Sequence, residues 1–298
     1  MRRRGDTCPF LLADYVCRVD ISIGLPNTLN HRGPLMVDWA RRAEERGFTS
    51  LGTIDRIVYP NYDTITSLAV AAGATSRIGL LSGILLAPLY PPVWLAKAAA
   101  SLDGMSGGRL TLGVAVGGRP DDFAAMGVPM EQRGRIMDRM LEVMRTVFAG
   151  EPLPGDAFPV ASHGSPKLLI GGTSDAAVRR TVQYGQGWIA GGGGADQIGP
   201  MIDKVRRAWH DAGRESEPRI AALAYYGLTD EAVSRRSLLT YYGFLGDFGG
   251  MIADSALRTP QSLGEAVKAY EGAGVDELIF DPTVPALEEV DRLADAVL

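Results

Sequence analysis

Residues 77–118 read RIGLLSGILLAPLYPPVWLAKAAASLDGMSGGRLTLGVAVGG, and this stretch is one strand–helix–strand unit. Arg77–Ala87 is a short apolar run of strand length, followed by a proline-bounded loop. Pro92–Ser106 has helical length and composition, and Gly107–Gly108 stand where a left-handed C-cap turns the chain back. Arg109–Val116 is the second strand, closed by Gly117–Gly118. Two strands joined through a helix lie parallel.

The same alternation extends outward in both directions. Strands are expected at Arg18–Leu25, Ser50–Thr53, Lys167–Gly171, Gly187–Gly191, Arg219–Tyr226 and Glu277–Phe280. Helices are expected at Leu35–Arg46, Tyr62–Ala74, Gln132–Ala149, Asp175–Tyr184, Pro200–Ala212, Asp230–Phe244, Ser262–Ala273 and Ala286–Val297. In the first helix Met36, Trp39, Ala40 and Ala43 follow the i, i+3, i+4, i+7 rule, with charged residues on the other face. Gly47 is placed to end that helix, while Asp175 and Ser262 stand at N-cap positions. Eight strand–helix units favour a closed (β/α)8 TIM barrel, with loop insertions at the C-terminal face. An open dinucleotide-binding sheet calls for G-x-G-x-x-G after the first strand, where this chain has GLPNTLNHRG (residues 24–33). The Pro/Gly-rich segment Gly150–Ser165 reads as an insertion over the barrel. The expected organisation is a barrel over residues 18–298 behind an N-terminal extension, residues 1–17.

Bulk properties agree with this reading. The chain has 298 residues, 46% hydrophobic and 22% charged, which suits a soluble globular protein with a large core. Its net charge of −5 supplies no basic field for nucleic acid. The apolar run near the N-terminus is short and interrupted by Asp14, unlike a secretory signal, and no segment has the ~20 apolar residues of a membrane span. Cys8 and Cys17 make no disulfide framework, so a reducing cytoplasm is expected.

In such a barrel the active site is built by the loops that follow the strands. Here those loops carry Gly117–Gly118, Gly171–Gly172 and Gly191–Gly194. The stretch LLIGGTSDAAV is a strand, a Gly171-Gly172-Thr173-Ser174 turn and a helix start. Bare backbone N–H groups at a helix N-terminus accommodate a phosphate, although such glycines also serve as simple tight turns. Asp55, Arg56 and Tyr59, after the second strand, are the candidate catalytic residues; a solvated turn pair is the plainer account of the first two. Tyr62, Tyr225, Tyr226, Tyr241, Tyr242 and Phe244 are further candidates for an aromatic pocket, and half of these are expected to be packing residues. Of the three histidines only His31 falls at the right end of the barrel. The chain has neither a zinc-binding H-x-x-x-H nor a G-x-S-x-G nucleophile motif.

APLYPPVWLAKAAASLDGMSGGRLTLGVAVGG, GFTSLGTIDR, PDDFAAMGVPMEQRGRIMDRMLE and LLIGGTS together resemble the luciferase-like monooxygenases, a family that includes deazaflavin-dependent oxidoreductases. The resemblance runs from about Val19 to the C-terminus. It implies a non-prolyl cis peptide at Gly83–Ile84 beneath a flavin ring, and a cofactor phosphate at Gly171, Gly172, Thr173 and Ser174. It also implies that Ala115, Gly117 and Gly191 approach the cofactor, that Arg133 or Arg135 reaches the phosphate, and that the protein is a homodimer. The chain departs from the pattern in three places. Arg56 stands where luminescent and many deazaflavin-dependent members have histidine. Ala115 replaces the reactive cysteine of luciferases, and Val116 the neighbouring basic residue. Light emission is therefore not expected, and an arginine cannot titrate as a base, though it can orient an oxyanion.

The reading these features favour is monooxygenation of a small organic molecule with reduced FMN, which a separate flavin reductase could supply. The alternatives are hydride transfer with coenzyme F420 and a non-catalytic flavin-binding barrel. Arg56, Arg119, Arg133 and Arg135 share the mouth with Asp55, Asp121, Asp122 and Glu131, a mixture poorly suited to the long anionic tail of F420.

Overall fold

The expected alternation closes on itself in the computed structural model, which describes residues 19–298. The strands are β1 (Asp20–Gly24), β2 (Ser50–Thr53), β3 (Gly79–Leu86), β4 (Leu110–Ala115), β5 (Lys167–Gly171), β6 (Gly187–Ile189), β7 (Arg219–Tyr226) and β8 (Glu277–Pro282). Each pairs in parallel with the next, and β8 returns to β1 through Asp20↔Glu277 to Ile23↔Phe280, so the barrel is closed. The helices are α1 (Pro34–Arg46), α2 (Thr64–Ala74), α3 (Pro92–Ser106), α4 (Pro120–Ala125), α5 (Arg133–Phe148), α6 (Asp175–Tyr184), α7 (Ala195–Asp211), α8 (Glu231–Tyr242), α9 (Asp247–Asp254), α10 (Pro260–Gly272) and α11 (Glu288–Val297). Among the described residues no helix is long and apolar enough to cross a membrane. The expected extension, residues 1–17, lies outside the described residues, as do Cys8 and Cys17.

Strand alternation divides the apolar residues into two cores. Leu81, Leu169, Ile189, Ala221 and Ile279 point inward and fill the barrel, with Ile84 packed above them. Their neighbours, among them Leu80, Ile170, Trp188 and Phe280, point outward and meet the helices. Each buried Leu or Ile contributes about 1.5–3 kcal/mol of transfer free energy. The α1 face that does this is Met36, Trp39, Ala40 and Ala43, as its spacing predicts. Gly47 (φ 89°) and Gly107 (φ 76°) end α1 and α3 in the left-handed conformation, each donating its N–H to the last turn.

Several local expectations are corrected. Ser174, not Asp175, caps α6, because its hydroxyl reaches the Ala177 N–H. Thr259, not Ser262, caps α10; Ser262 is the third residue inside and completes a capping box. The α7 helix begins at Ala195 rather than Pro200. Pro200 forfeits one backbone bond there, but the buried stripe Ile198, Ile202, Val205 and Trp209 carries the helix through it. The Gly150–Ser165 segment does not lie over the catalytic mouth. It enters β5 from the N-terminal face, where Asp103 accepts the Ser165 N–H (2.9 Å) and the Leu110 N–H at the start of β4 (3.0 Å). The insertions at the C-terminal face are α4 and the α8–α9 excursion between β7 and β8.

Candidate active site

The C-terminal ends of β3, β4, β5 and β6 meet on one small surface. The Gly83–Ile84 peptide is cis, and the β3–β4 register shifts between Ser82 and Leu85. The Ile84 side chain fills the space beside the next strands. A Cβ on Gly171 would lie 2.7 Å from Ile84 Cδ1 and 3.3 Å from Ala115 Cβ, and one on Gly191 3.6 Å from Ile84 Cδ1. Gly83, Ile84, Ala115, Gly171 and Gly191, picked from four separate segments, are thus brought together. Gly117 (φ 74°) turns against Phe123 and Leu86 at the edge of this surface.

The Gly171–Ser174 turn stands beside it. Gly172 adopts φ 110°, a conformation that side chains resist, and its carbonyl accepts the Trp188 indole N–H at 2.9 Å. Thr173 and Ser174 are exposed, and the start of α6 offers backbone N–H groups there. Asp175 brings an unfavourable charge for a phosphate, offset by its ion pair with Lys204 (2.5 Å). Bare backbone, two hydroxyl residues and a helix N-terminus fit a phosphate group chemically. Arg133 and Arg135 are not tied to the turn by any contact among the described residues. Arg133 donates to the Met130 carbonyl at 2.9 Å and Arg135 is exposed. The guanidinium that joins α5 to α6 is Arg180, bound to Asp138 (2.6 Å) and to the Gly134 carbonyl (2.9 Å).

Asp55 and Arg56 are both buried, which excludes the solvated-turn account. Asp55 accepts the Leu86 N–H (2.9 Å) and the Tyr90 hydroxyl (3.0 Å), so it links the end of β2 to the end of β3. Burial pushes its carboxyl up to about 6, against the opposing pull of those two hydrogen bonds. Arg56 donates through Nε to Asp122 (2.8 Å) and through Nη2 to Asp121 (3.2 Å) and the Val58 carbonyl (2.9 Å). Asp122 in turn accepts the Ile57 and Val58 N–H groups. The Arg56 guanidinium also lies 5.6 Å from the Tyr59 ring and 5.5 Å from the Tyr241 ring. Its Nη1 has no partner among the described residues. The anchor for this cluster, α4, was not foreseen because six residues carry too little periodicity.

Opposite the glycine-lined surface, loops and strand ends from β1, β2, β7 and β8 line a narrow, partly open pocket. Its walls include Ile54, Tyr59, Tyr225, Tyr241 and Leu238, with Asp281 and Thr283 as polar members. Tyr242 stands behind Tyr225, their hydroxyls 2.6 Å apart. Tyr226 is core, stacked edge-on against Phe280, and Phe244 is exposed with Arg119 3.6 Å from its ring. Tyr62 and His31 pair with each other outside the pocket, their rings 5.2 Å apart. Asp281 is the site residue that sequence reasoning missed, because the last strand was ended two residues early at Phe280. The available signal was a lone acid at the C-terminal end of an apolar barrel strand.

A family model described as luciferase-like monooxygenase matches residues 31–271. An uncharacterized protein of Mycobacterium tuberculosis is 30% identical over 227 residues, spanning 66% of this chain and 78% of that protein. Among solved structures, monooxygenase RslO1 from Streptomyces bottropensis superposes with a TM-score of 0.75 at 21% identity, covering 93% of this chain and 97% of its own. An F420-dependent secondary alcohol dehydrogenase, in complex with an F420-acetone adduct, superposes at 0.77 and 18% identity, covering 94% and 98%.

Proposed function

This chain belongs to the luciferase-like monooxygenase family, and from that premise we propose that it binds FMN and uses the reduced cofactor to monooxygenate a small organic substrate. The observation that carries this reading is the division of the barrel mouth into two unlike halves. The β3–β6 half offers small residues and a phosphate-compatible turn. The β7–β2 half offers a narrow, tyrosine-walled pocket. The residues of the first half would hold the cofactor and leave the second half for a substrate.

FMN supplies the redox and oxygen-activating chemistry when bound; the chain supplies position and exclusion of water. Ile84 and Ala115 form the platform, and the Gly171–Ser174 turn receives the phosphate. Asp55 holds the Leu86 amide and so fixes the end of β3. Arg56, locked by Asp122 and Asp121, has no partner for its Nη1 amino group among the described residues and holds it beside Tyr59 and Tyr241 to orient an oxyanion. Charge favours FMN over F420. The guanidinium groups of Arg56, Arg119 and Arg180 are already engaged by Asp121, Asp122 and Asp138, which leaves a weak cradle for an anionic tail. A homodimer working with a separate flavin reductase completes the proposal.

The test is titration of the purified protein with each cofactor, followed by oxygen consumption with a flavin reductase present. FMN binding and substrate-dependent oxygen uptake are expected. F420 binding without FMN binding would replace the monooxygenase with a hydride-transfer enzyme. Binding without turnover on any substrate would leave a flavin-holding barrel, and binding of neither cofactor would end the proposal.

A further inference from the structure

The orientation of the Gly171–Ser174 turn is set by a residue on the neighbouring strand. Trp188 stands on β6, buried, with its ring in the outer core between the sheet and the helices. Its indole N–H donates to the Gly172 carbonyl at 2.9 Å. The Gly172–Thr173 peptide is trans, and in a planar trans peptide the N–H points opposite to the C=O. A carbonyl turned toward the buried indole therefore turns the Thr173 N–H away from it, at a residue that is exposed. That N–H has no acceptor among the described residues. It stands beside the Asp175 and Ala176 N–H groups, which the first turn of α6 leaves without helical partners, while Ser174 Oγ takes the Ala177 N–H. A second indole gives the contrast. Trp39 on α1 donates to the Gly24 carbonyl at 3.0 Å, but the other end of that peptide, the Leu25 N–H, is bonded to the Gly52 carbonyl at 2.7 Å. The Trp39 bond serves the fold alone, whereas the Trp188 bond aims a donor outward.

We propose that Trp188 is a positioning residue for cofactor binding: its buried indole N–H fixes the Gly172–Thr173 peptide so that the Thr173 amide donates to the cofactor phosphate. This rests on the reading that a phosphate occupies the Gly171–Ser174 turn. Gly172 is what makes a clamp necessary. At φ 110° it has no side chain to oppose rotation, so the peptide that follows it flips at small cost. A flipped peptide would present its carbonyl oxygen to the mouth in place of the N–H, and that oxygen repels a phosphate. The indole acts from the core side of the turn, through the peptide. A phosphate on the Thr173 N–H polarises the same peptide and strengthens its carbonyl as an acceptor, so the two hydrogen bonds support each other.

The test separates the phosphate from the ring. FMN and riboflavin share one ring system and differ in the phosphate, and the affinity of the full chain for each is measured by fluorescence titration. Trp188→Phe keeps a buried ring and removes the N–H. It should weaken FMN binding about tenfold, the scale of one hydrogen bond to a charged group, and leave riboflavin binding unchanged. Trp39→Phe should leave the FMN-to-riboflavin ratio as in wild type. A loss shared equally by FMN and riboflavin, or no loss in a folded Trp188→Phe variant, would overturn the proposal. Wild-type NMR supplies a measurement that requires no variant to fold. The Trp188 indole proton should move downfield when FMN or inorganic phosphate is added and stay in place with riboflavin. An indole proton that ignores both phosphate compounds would overturn the proposal unless F420 binds in their place. That outcome would end the FMN reading alone, since F420 also carries a phosphate. The same selective loss is then expected between F420 and its phosphate-free chromophore, and an equal loss would overturn the role of Trp188.

Discussion

Two buried side chains after β2 illustrate how a residue's role depends on what closes over it. Asp55 and Arg56 sit side by side in sequence, yet one faces β3 and the other faces α4. Removing one member of a buried ion pair leaves the other uncompensated, which costs about 3–5 kcal/mol. Arg56→Met should therefore lower unfolding stability by about 3 kcal/mol, the lower end, because Asp122 keeps its two amide donors. Adding Asp122→Asn to that variant should recover part of the loss. Urea denaturation measures both, and a loss under about 1 kcal/mol would mean that the pair is not desolvated. Asp55 makes a pH prediction. Its folded value of about 6 lies above 3.8, so this group favours folding in acid and that contribution is lost as pH rises through about 6. The stability of wild type relative to Asp55→Asn should thus fall by about 2 kcal/mol between pH 4 and pH 7. A flat difference across that range would show that Asp55 is not desolvated.

At the scale of elements, glycines mark where backbones approach each other or a ligand. Gly187 opens β6 so close to β7 that a Cβ would meet the Arg219 carbonyl oxygen at 1.9 Å. Backbone cannot yield as a side chain can, so Gly187→Ala should cost about 3 kcal/mol, read as a lowered urea midpoint. Gly172 is different. It is partly exposed with φ 110°, and its substitution disturbs the turn more than the core. Gly172→Leu should weaken FMN binding at least about tenfold while leaving the circular dichroism spectrum unchanged, since it shields amides at a helix N-terminus. Unaltered affinity in a folded variant would place the phosphate elsewhere. The caps show how local rules reach their limit. Both misplaced N-caps lay within a few residues of a correct polar one, and only the course of the entering chain selects Ser174 and Thr259.

For the molecule as a whole, a ligand that binds only the folded barrel must stabilise it. FMN at a hundred times its dissociation constant should add about 2.7 kcal/mol and raise the melting temperature by several degrees, measured by calorimetry. F420 should produce a smaller rise at equal concentration; the reverse order would favour the deazaflavin. The barrel itself was legible in sequence, because strand and helix periodicity, glycine C-caps and eight-fold alternation are short-range signals that tertiary contacts reinforce. The glycine-lined surface was legible too, through residues close to strand ends, although only the closed sheet brings Ile84, Ala115, Gly171 and Gly191 into contact. What the sequence by itself could not determine is which polar groups are satisfied. The burial of Arg56 depends on Asp122, 66 positions away in the chain, and the isolation of Asp281 depends on strand β1 folding back onto β8. Whether a charge is paired or alone is a property of through-space neighbours and local dielectric, and both exist only after the barrel has closed.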